Sequence, residues 1–457
     1  MVKRSVIREL NRRIGAGKVF HQREFLLSYA YDATRLEFMP DAVVFPESQE
    51  DIAAIIDLAR QQRIPLVPRG AGAGYSGGAL AVHGGLVMAF TRMNRILKID
   101  RRSLLAEVEP GVVTADLQAR VEKIGLFYPP DPASLKTSTI GGNVAENAGG
   151  PRCFKYGVTG NYVLGLDAFL MSGEKLHLGA HTVKNVAGYD LKSLLVGSEG
   201  TLAVIAKIVL RLIVLPPRRL LARIDLASLA EAARFVQELV TSRVTPSVLE
   251  FIDRSALTAV YRYLRRRDDL RVKASILVEL DGSHLEVEEK KNLLLKKIRQ
   301  VKPIRSRIAA GAAEQEKLWE IRRAISPAIN TLKPMKINED VVVPIGRIPA
   351  MVEFITRLSK TYHIAIVLFG HFGDGNIHTN LLVDPSDPGE MKRAAQVLEE
   401  LFRQVVVEKG TISGEHGIGL SKKPFMPFQF SPAELEIFHS LKKVFDPLNL
   451  LNPGKIF

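Results

Sequence analysis

Cysteine is almost absent: Cys153 is the only one in 457 residues. That excludes internal disulfides and any iron–sulfur cluster held within the chain, because clusters need several thiolates. Long apolar runs are missing too. No stretch approaches the roughly 18–20 residues of a membrane span. The opening Met-Val-Lys-Arg-Ser-Val-Ile-Arg-Glu-Leu reads as a mixed helix start rather than a signal peptide. A cytoplasmic protein is the expectation. Acid is in deficit: 49 Asp and Glu against 63 Lys and Arg leave a formal charge of +14. No zinc-finger spacing, RRM signature or Arg/Gly tract accompanies the excess, so nucleic acid is not the expected partner. The basic residues gather in Tyr261-Arg-Tyr-Leu-Arg-Arg-Arg267 and between Lys290 and Arg307. They fit a solvated face or, as the functional reading, a surface that docks an acidic electron-accepting protein.

The chain is too long for one ordinary core, so two or three domains are expected. Residues 1–35 read as a helical lead-in. Ser48 to Arg60 is an amphipathic helix, with Ser48 and Asp51 in a capping pattern and Ile52, Ile55, Ile56 and Ala59 as its buried stripe. A short strand then feeds Pro68-Arg-Gly-Ala-Gly-Ala-Gly-Tyr-Ser-Gly-Gly78. This loop contains Gly72-x-Gly74-x-x-Gly77, formally a dinucleotide fingerprint, but a strand-like Leu86–Phe90 follows where the fingerprint needs a helix. A Rossmann fold is therefore rejected. The glycines remain suited to a phosphate cradle, since they let backbone N–H groups approach an anion. A second small-residue stretch, Thr137 to Gly150, suggests one extended ligand contacted twice. Pro216-Pro217 marks the best domain boundary. Beyond it strands and helices alternate in the manner of a ferredoxin-type α+β sandwich. There Leu318 to Ser326 reads as helix and places Arg322 and Ser326 on one face.

The chemistry concentrates in Gly370-His-Phe-Gly-Asp-Gly-Asn-Ile-His-Thr-Asn380. Two apolar runs flank Asp374-Gly375, a signal for a two-residue turn. That register sets His371 opposite His378, with Cβ atoms about 4.5–5.5 Å apart, so that two imidazoles chelate one cation. Asn380 projects from the same face. Farther on, Ser413-Gly-Glu-His-Gly-Ile-Gly419 places Glu415 beside His416 on a backbone that glycines allow to bend. Glu415 would complete a His/His/Glu set with an open position, the pattern of a catalytic metal site, and would leave His416 as a base.

Six segments in this order resemble the glycolate oxidase flavin subunit and D-lactate/D-2-hydroxyglutarate dehydrogenase family, within the vanillyl-alcohol-oxidase (PCMH-type) flavoproteins. They are Pro68 to Gly78, Gly141 to Gly150, Val196-Gly-Ser-Glu-Gly-Thr-Leu202, the histidine hairpin, Gly414-Glu-His-Gly417 and Asn452-Pro-Gly-Lys455. The resemblance implies an α+β, PCMH-type FAD-binding domain over 36–217 and a substrate and metal domain over 218–425. A helix and tail over 426–457 would return to the flavin. It implies that Gly70, Ala71, Gly72, Gly74, Tyr75 and Ser76, entered through Pro68, hold the pyrophosphate. Pro130, Ser134, Thr139, Gly141, Gly142, Asn143 and Gly149 would line the flavin and adenosine path. Glu199, Gly200, Thr201 and Val204 would face the adenine and Asn452 the isoalloxazine. His371, His378 and Glu415 would bind a divalent metal, zinc before iron or manganese, and His416 would face the substrate.

No histidine lies between Ile64 and Val82, so FAD is expected to be non-covalent. Relatives that grip a distal second carboxylate resemble Lys-Tyr-Asp-Leu-Ser-Leu where this chain has Asn338 to Val343. Asn338 in the lysine's place favours a small monocarboxylate, D-lactate or glycolate. The expected enzyme oxidises such a 2-hydroxy acid. Arg322 would fork the carboxylate with Ser326 and Asn380 assisting, His416 would take the hydroxyl proton, and hydride would pass to flavin. Electrons would leave to an iron–sulfur subunit or an electron-transfer flavoprotein, which is also the expected route to any membrane attachment. A flavin-dependent transferase like the alkylglycerone-phosphate synthases and a non-catalytic flavin subunit are the alternatives.

Overall fold

Ser48 accepts the N–H of Asp51 and opens the helix Gln49–Gln61, whose Ile52, Ile55, Ile56 and Ala59 turn inward as their spacing predicts. The computed structural model describes residues 2–309 and 311–457. The polypeptide divides into two units. One contains Met1–Gly149, Val158–Leu215 and Glu415–Phe457, and the other contains Gly150–Gly157 and Pro216–Gly414. The chain thus re-enters the first unit at Glu415, ahead of residue 426, where the sequence places the returning segment.

The first unit begins with a four-stranded sheet of β1 (Val19–Phe20), β2 (Ala42–Val44), β3 (Leu66–Arg69) and β4 (Leu86–Ala89), in the order β1-β2-β4-β3. β2 and β3 both run parallel to β4. The glycine loop links β3 to β4 with no helix between them, as the rejection of a Rossmann fold requires. The helical lead-in is only partly helical. Helices Arg4–Ile14 and Arg23–Leu27 flank β1, which pairs with β2. A two-residue strand leaves no periodic signal. Aromatic packing fixes it, with the Phe20 ring 4.3 Å from Phe25 and 5.5 Å from Phe45.

An antiparallel sheet follows, built from β5 (Ile96–Asp100), β6 (Leu105–Val108), β8 (Val163–Phe169), β9 (Lys175–Gly179) and β10 (Val204–Arg211), in the order β5-β6-β10-β8-β9. β7 (Leu126–Phe127) and β11 (Ile213–Val214) make a short ribbon. The last helix, Pro432–Phe445, carries the capping box of Ser431 and Glu434. Its tail then runs along β3: Leu66 N–H donates to Leu450 at 2.8 Å and Asn452 N–H to Leu66 at 2.8 Å.

The second unit is one antiparallel seven-stranded sheet. Its strands are β12 (Arg218–Leu226), β13 (Val248–Asp253), β14 (Ala274–Gly282), β15 (Arg305–Ala309), β16 (Met335–Val342), β17 (Ala365–His371) and β18 (Asn376–Val383). Their order is β15-β12-β14-β13-β17-β18-β16. The first four strands have the split βαβ order of a ferredoxin-type sheet, and the last three extend it beyond β13. One face carries Leu221, Ile252, Leu277, Val367 and Phe369. Helices Arg254–Tyr263, Ala312–Arg323 and Ile325–Ile329 pack against it through Leu257, Val260, Leu318, Ile321 and Ile325. The helix expected from Leu318 to Ser326 is broken at Ala324, so Arg322 and Ser326 belong to consecutive helices rather than one face of a single helix.

Candidate active site

The histidine hairpin forms, but in another register. Phe369, not His371, stands opposite His378, and Val367 stands opposite Asn380. The turn spans Phe372–Gly375 rather than Asp374-Gly375 alone. Phe372 is the cause. Its ring is buried and stacks on Phe251 with centroids 4.1 Å apart and planes within 3°, while Gly373 N–H donates to Leu249 at 3.2 Å. Burying a phenyl ring is worth about 1.5–3 kcal/mol, enough to draw two residues out of the ladder. A slip of two residues keeps every side chain on its own face. The histidines therefore still meet, diagonally, with ring centroids 5.1 Å apart and planes at 85°.

Their Nε2 atoms are 3.5 Å apart. That is long for an N–H···N hydrogen bond. It is close to the roughly 3.3–3.4 Å between two nitrogens that each sit about 2.0–2.1 Å from one tetrahedral ion. The other nitrogen of His371, Nδ1, faces the Glu250 carboxylate, and that carboxylate also takes Nε of Arg322. Glu250 lies on β13 directly opposite His371 and is fully buried. Burial alone would raise its pKa. The charges of Arg322 and then His371 outweigh that and hold the carboxyl below its ordinary range. A carboxylate behind a histidine fixes the ring's tautomer and aims the other nitrogen outward. Sequence reasoning missed Glu250. Its signal is a lone charge at an inward position of the apolar run Val248-Leu-Glu-Phe-Ile252.

The remaining residues of this face are polar where a core would be apolar. Arg322 is buried, its guanidinium 4.8 Å from the Phe369 ring centre. Asn338 stands opposite Asn380 across β16 and β18, and the Oδ1 atoms of both are buried without a hydrogen-bond partner among the described residues. Such orphans point to a polar ligand, since leaving them dry costs about 1–3 kcal/mol each. Ser326 accepts from Lys336 at 3.1 Å. Asp340, opposite His378, accepts the Gly414 N–H at 2.8 Å, and Val342 forms a bridge with Thr411. This fixes the backbone up to Gly414, and Glu415 is the next residue in the chain.

In the first unit the two glycine-rich segments come together. A Cβ at Gly70 would collide with Thr139 Oγ1, and Gly142 Cα lies 3.8 Å from the same point. Thr139 caps the helix Ile140–Glu146, which contains Gly141, Gly142 and Asn143, by accepting the Gly142 N–H. Asn143 donates to Thr114 at 2.7 Å, and Pro130 accepts from Gln118 at 2.9 Å. Ser134 closes a turn on Ser138, and Gly149 ends the segment. Gly72 has φ +68°, and a side chain there would strike the Arg69 guanidinium. Gly74 faces open space, and the buried Ser76 Oγ has no partner among the described residues. A glycine cradle with an orphan hydroxyl fits a phosphate-bearing cofactor.

His416 lies beside this loop, its ring 5.2 Å from that of Tyr75, and Glu415 Oε1 approaches His416 Nε2 to 3.8 Å. The bent backbone expected of the glycines is present, with Gly417 at φ +82° and Gly419 at φ +49°. Glu199 fastens it, accepting from Ile418 and Gly419 at 2.7 Å each, although burial pushes its carboxyl pKa upward. The carboxylate expected to face adenine is thus engaged with backbone. Gly200 packs on Pro68, Thr201 bonds Ser198, and Val204 opens β10. Asn452 donates to Gly78 at 2.9 Å and Glu199 at 2.8 Å, locking the tail to the first loop.

Comparison with known proteins decides the family. The family described as FAD linked oxidases, C-terminal domain, matches residues 215–456, and the FAD binding domain family matches 40–179. The chain belongs to the FAD-linked oxidase family. This FAD-linked oxidase is 40% identical over 436 residues to the glycolate oxidase subunit GlcD of Bacillus subtilis (strain 168), covering 94% of this chain and 92% of the relative. It is 33% identical over 429 residues to the D-lactate dehydrogenase of Anaerostipes hadrus, covering 91% and 89% of the two chains. Among solved structures, p-cresol methylhydroxylase with substrate bound superposes with a TM-score of 0.81 at 16% identity, over 99% of this chain and 96% of that one, a likeness of fold. The α+β, PCMH-type architecture is thereby established. So is the class: an FAD-linked oxidoreductase of the glycolate oxidase and D-lactate dehydrogenase type. No helix among the described residues is long and apolar enough to cross a membrane.

Proposed function

We propose that this FAD-linked oxidase dehydrogenates a small D-2-hydroxy monocarboxylate, D-lactate or glycolate, with help from a divalent cation. The carrying observation is the pair of Nε2 atoms 3.5 Å apart, one of them aimed by Glu250. His371 and His378 would hold the cation, with Glu415, next to the anchored Gly414, as the third ligand. Zinc suits two imidazoles and a carboxylate; iron and manganese accept the same set. When bound, the cation draws charge from the substrate's 2-hydroxyl. The glycine loops would hold FAD without a covalent link, and bound FAD would supply the acceptor for the C2 hydride.

The chain's own residues do the rest. Arg322 binds the carboxylate as a planar fork. Ser326 and Asn380 orient it, and His416 takes the hydroxyl proton. Asn338 supports the small substrate, because no cation occupies that register position and the nearby Lys336 is engaged by Ser326. With Cys153 as its only cysteine, the chain holds no iron–sulfur cluster of its own, and an iron–sulfur subunit or an electron-transfer flavoprotein is the acceptor that fits.

Anaerobic addition of D-lactate or glycolate is expected to bleach the flavin fully. L-lactate and D-2-hydroxyglutarate are expected to act at least about 10-fold more slowly, the size of one lost polar contact. Absence of bleaching with every 2-hydroxy acid would end this reading and return the transferase or a non-catalytic flavin subunit.

A further inference from the structure

The helix Arg254–Tyr263 buries Ala256, Leu257 and Val260 in the core of the second unit. Its last turn and the loop after it carry different chemistry. Arg262, Arg265, Arg266, Arg267, Arg271 and Lys273 lie in one short stretch, all exposed, against Asp268 and Asp269. Neighbouring carboxylates do not balance them. Asp268 is taken by Arg254, Asp269 pairs with Arg271 at 2.8 Å, and Glu320 pairs with Arg266 at 2.5 Å. Arg262, Arg265 and Arg267 have no ion-pair partner among the described residues. Two apolar side chains stand out between these charges: Leu270 is 71% exposed and Tyr263 is 48% exposed.

We infer that the segment Arg262–Lys273 docks the enzyme on an anionic lipid bilayer. Guanidinium forks match lipid phosphates. Clusters of about four to eight Lys and Arg are the scale at which acidic leaflets attract a protein surface. Tyrosine settles at the headgroup level, and a free leucine enters the acyl boundary. An acidic protein satisfies the arginines but gives Leu270 no comparable destination, and leucine is under-represented among the residues that dominate protein interfaces. A nucleic acid is less suited still, for the loop offers a single tyrosine as stacking platform. The inference goes beyond the proposed reaction and stands independently of the metal and the substrate.

Co-sedimentation of the full FAD-loaded chain tests it, with vesicles of phosphatidylcholine alone and of phosphatidylcholine with phosphatidylglycerol. Binding is expected only to the anionic vesicles, and it weakens as salt rises. Replacing Arg262, Arg265 and Arg267 together by Gln is expected to lower partitioning on the order of 100-fold, at about 1 kcal/mol or fivefold per charge. Leu270→Ser alone is expected to lower it roughly 10-fold. All these positions are exposed, so flavin absorbance and melting temperature stay unchanged. Equal binding to neutral vesicles, anionic binding that survives the triple replacement, or no vesicle binding at low salt would overturn the proposal. Capture by polyglutamate or single-stranded DNA without capture by vesicles would overturn it too, and would assign the surface to an acidic protein or a nucleic acid.

Discussion

His378→Ala is expected to purify yellow, with FAD bound, and to lose flavin reduction by a 2-hydroxy acid by at least about 10³-fold. The size follows from charge stabilisation by a bound cation, worth several kcal/mol, at 1.36 kcal/mol per decade of rate. The flavin should survive because the glycine loops belong to the first unit, whereas His378 lies on β18 of the second. Stopped-flow reduction and the visible spectrum check the two halves separately. Loss of FAD together with activity would show that His378 supports the fold rather than the chemistry.

Glu250 carries the second large effect, and its two replacements should part ways. Glu250→Ala leaves Arg322 and His371 buried without the carboxylate that joins them. Removing one partner of a buried pair costs about 3–5 kcal/mol, which corresponds to a melting temperature lower by roughly 10 °C for a unit of this size. Glu250→Gln keeps the volume and one acceptor oxygen, but it no longer bridges a cation and an imidazole with a full charge. Its fold should hold while metal affinity falls about 10–100-fold, the usual effect of losing the group behind a metal-binding histidine. Competition with a chelator measures that affinity directly. Wild-type affinity in Glu250→Gln would mean that His371 is oriented by its packing and not by the carboxylate.

The parts of the fold legible in the sequence were those that local chemistry determines. Ser48 accepts the N–H three residues on, and its helix begins where the capping pattern says. The two glycine-rich segments read as one ligand's cradle, and Gly70 does pack against Thr139. The histidine pair was legible because strand side chains alternate, so a slip of two residues leaves the facing unchanged. The slip itself was not legible. It depends on Phe372 finding Phe251, 121 residues earlier by chain position, in a strand whose place beside β17 no local pattern announces. Glu250 was missed for the same reason: its partners come from two other elements. The excursion Gly150–Gly157 is held by Arg152 on Glu279 at 3.5 Å and by Tyr156 on Asp281 at 2.5 Å, pairings well over a hundred residues apart in sequence. Charges separated so widely leave no trace in composition or periodicity.

If His371 and His378 grip a divalent ion that the reaction needs, activity must follow the metal. Elemental analysis of the FAD-replete protein before and after dialysis against a chelator, coupled to anaerobic reduction by D-lactate, tests it most directly. The expected result is about one divalent ion per chain, loss of flavin bleaching once the ion is withdrawn, and return of bleaching when zinc, iron or manganese is restored. Unchanged bleaching in protein shown to be free of metal would contradict it.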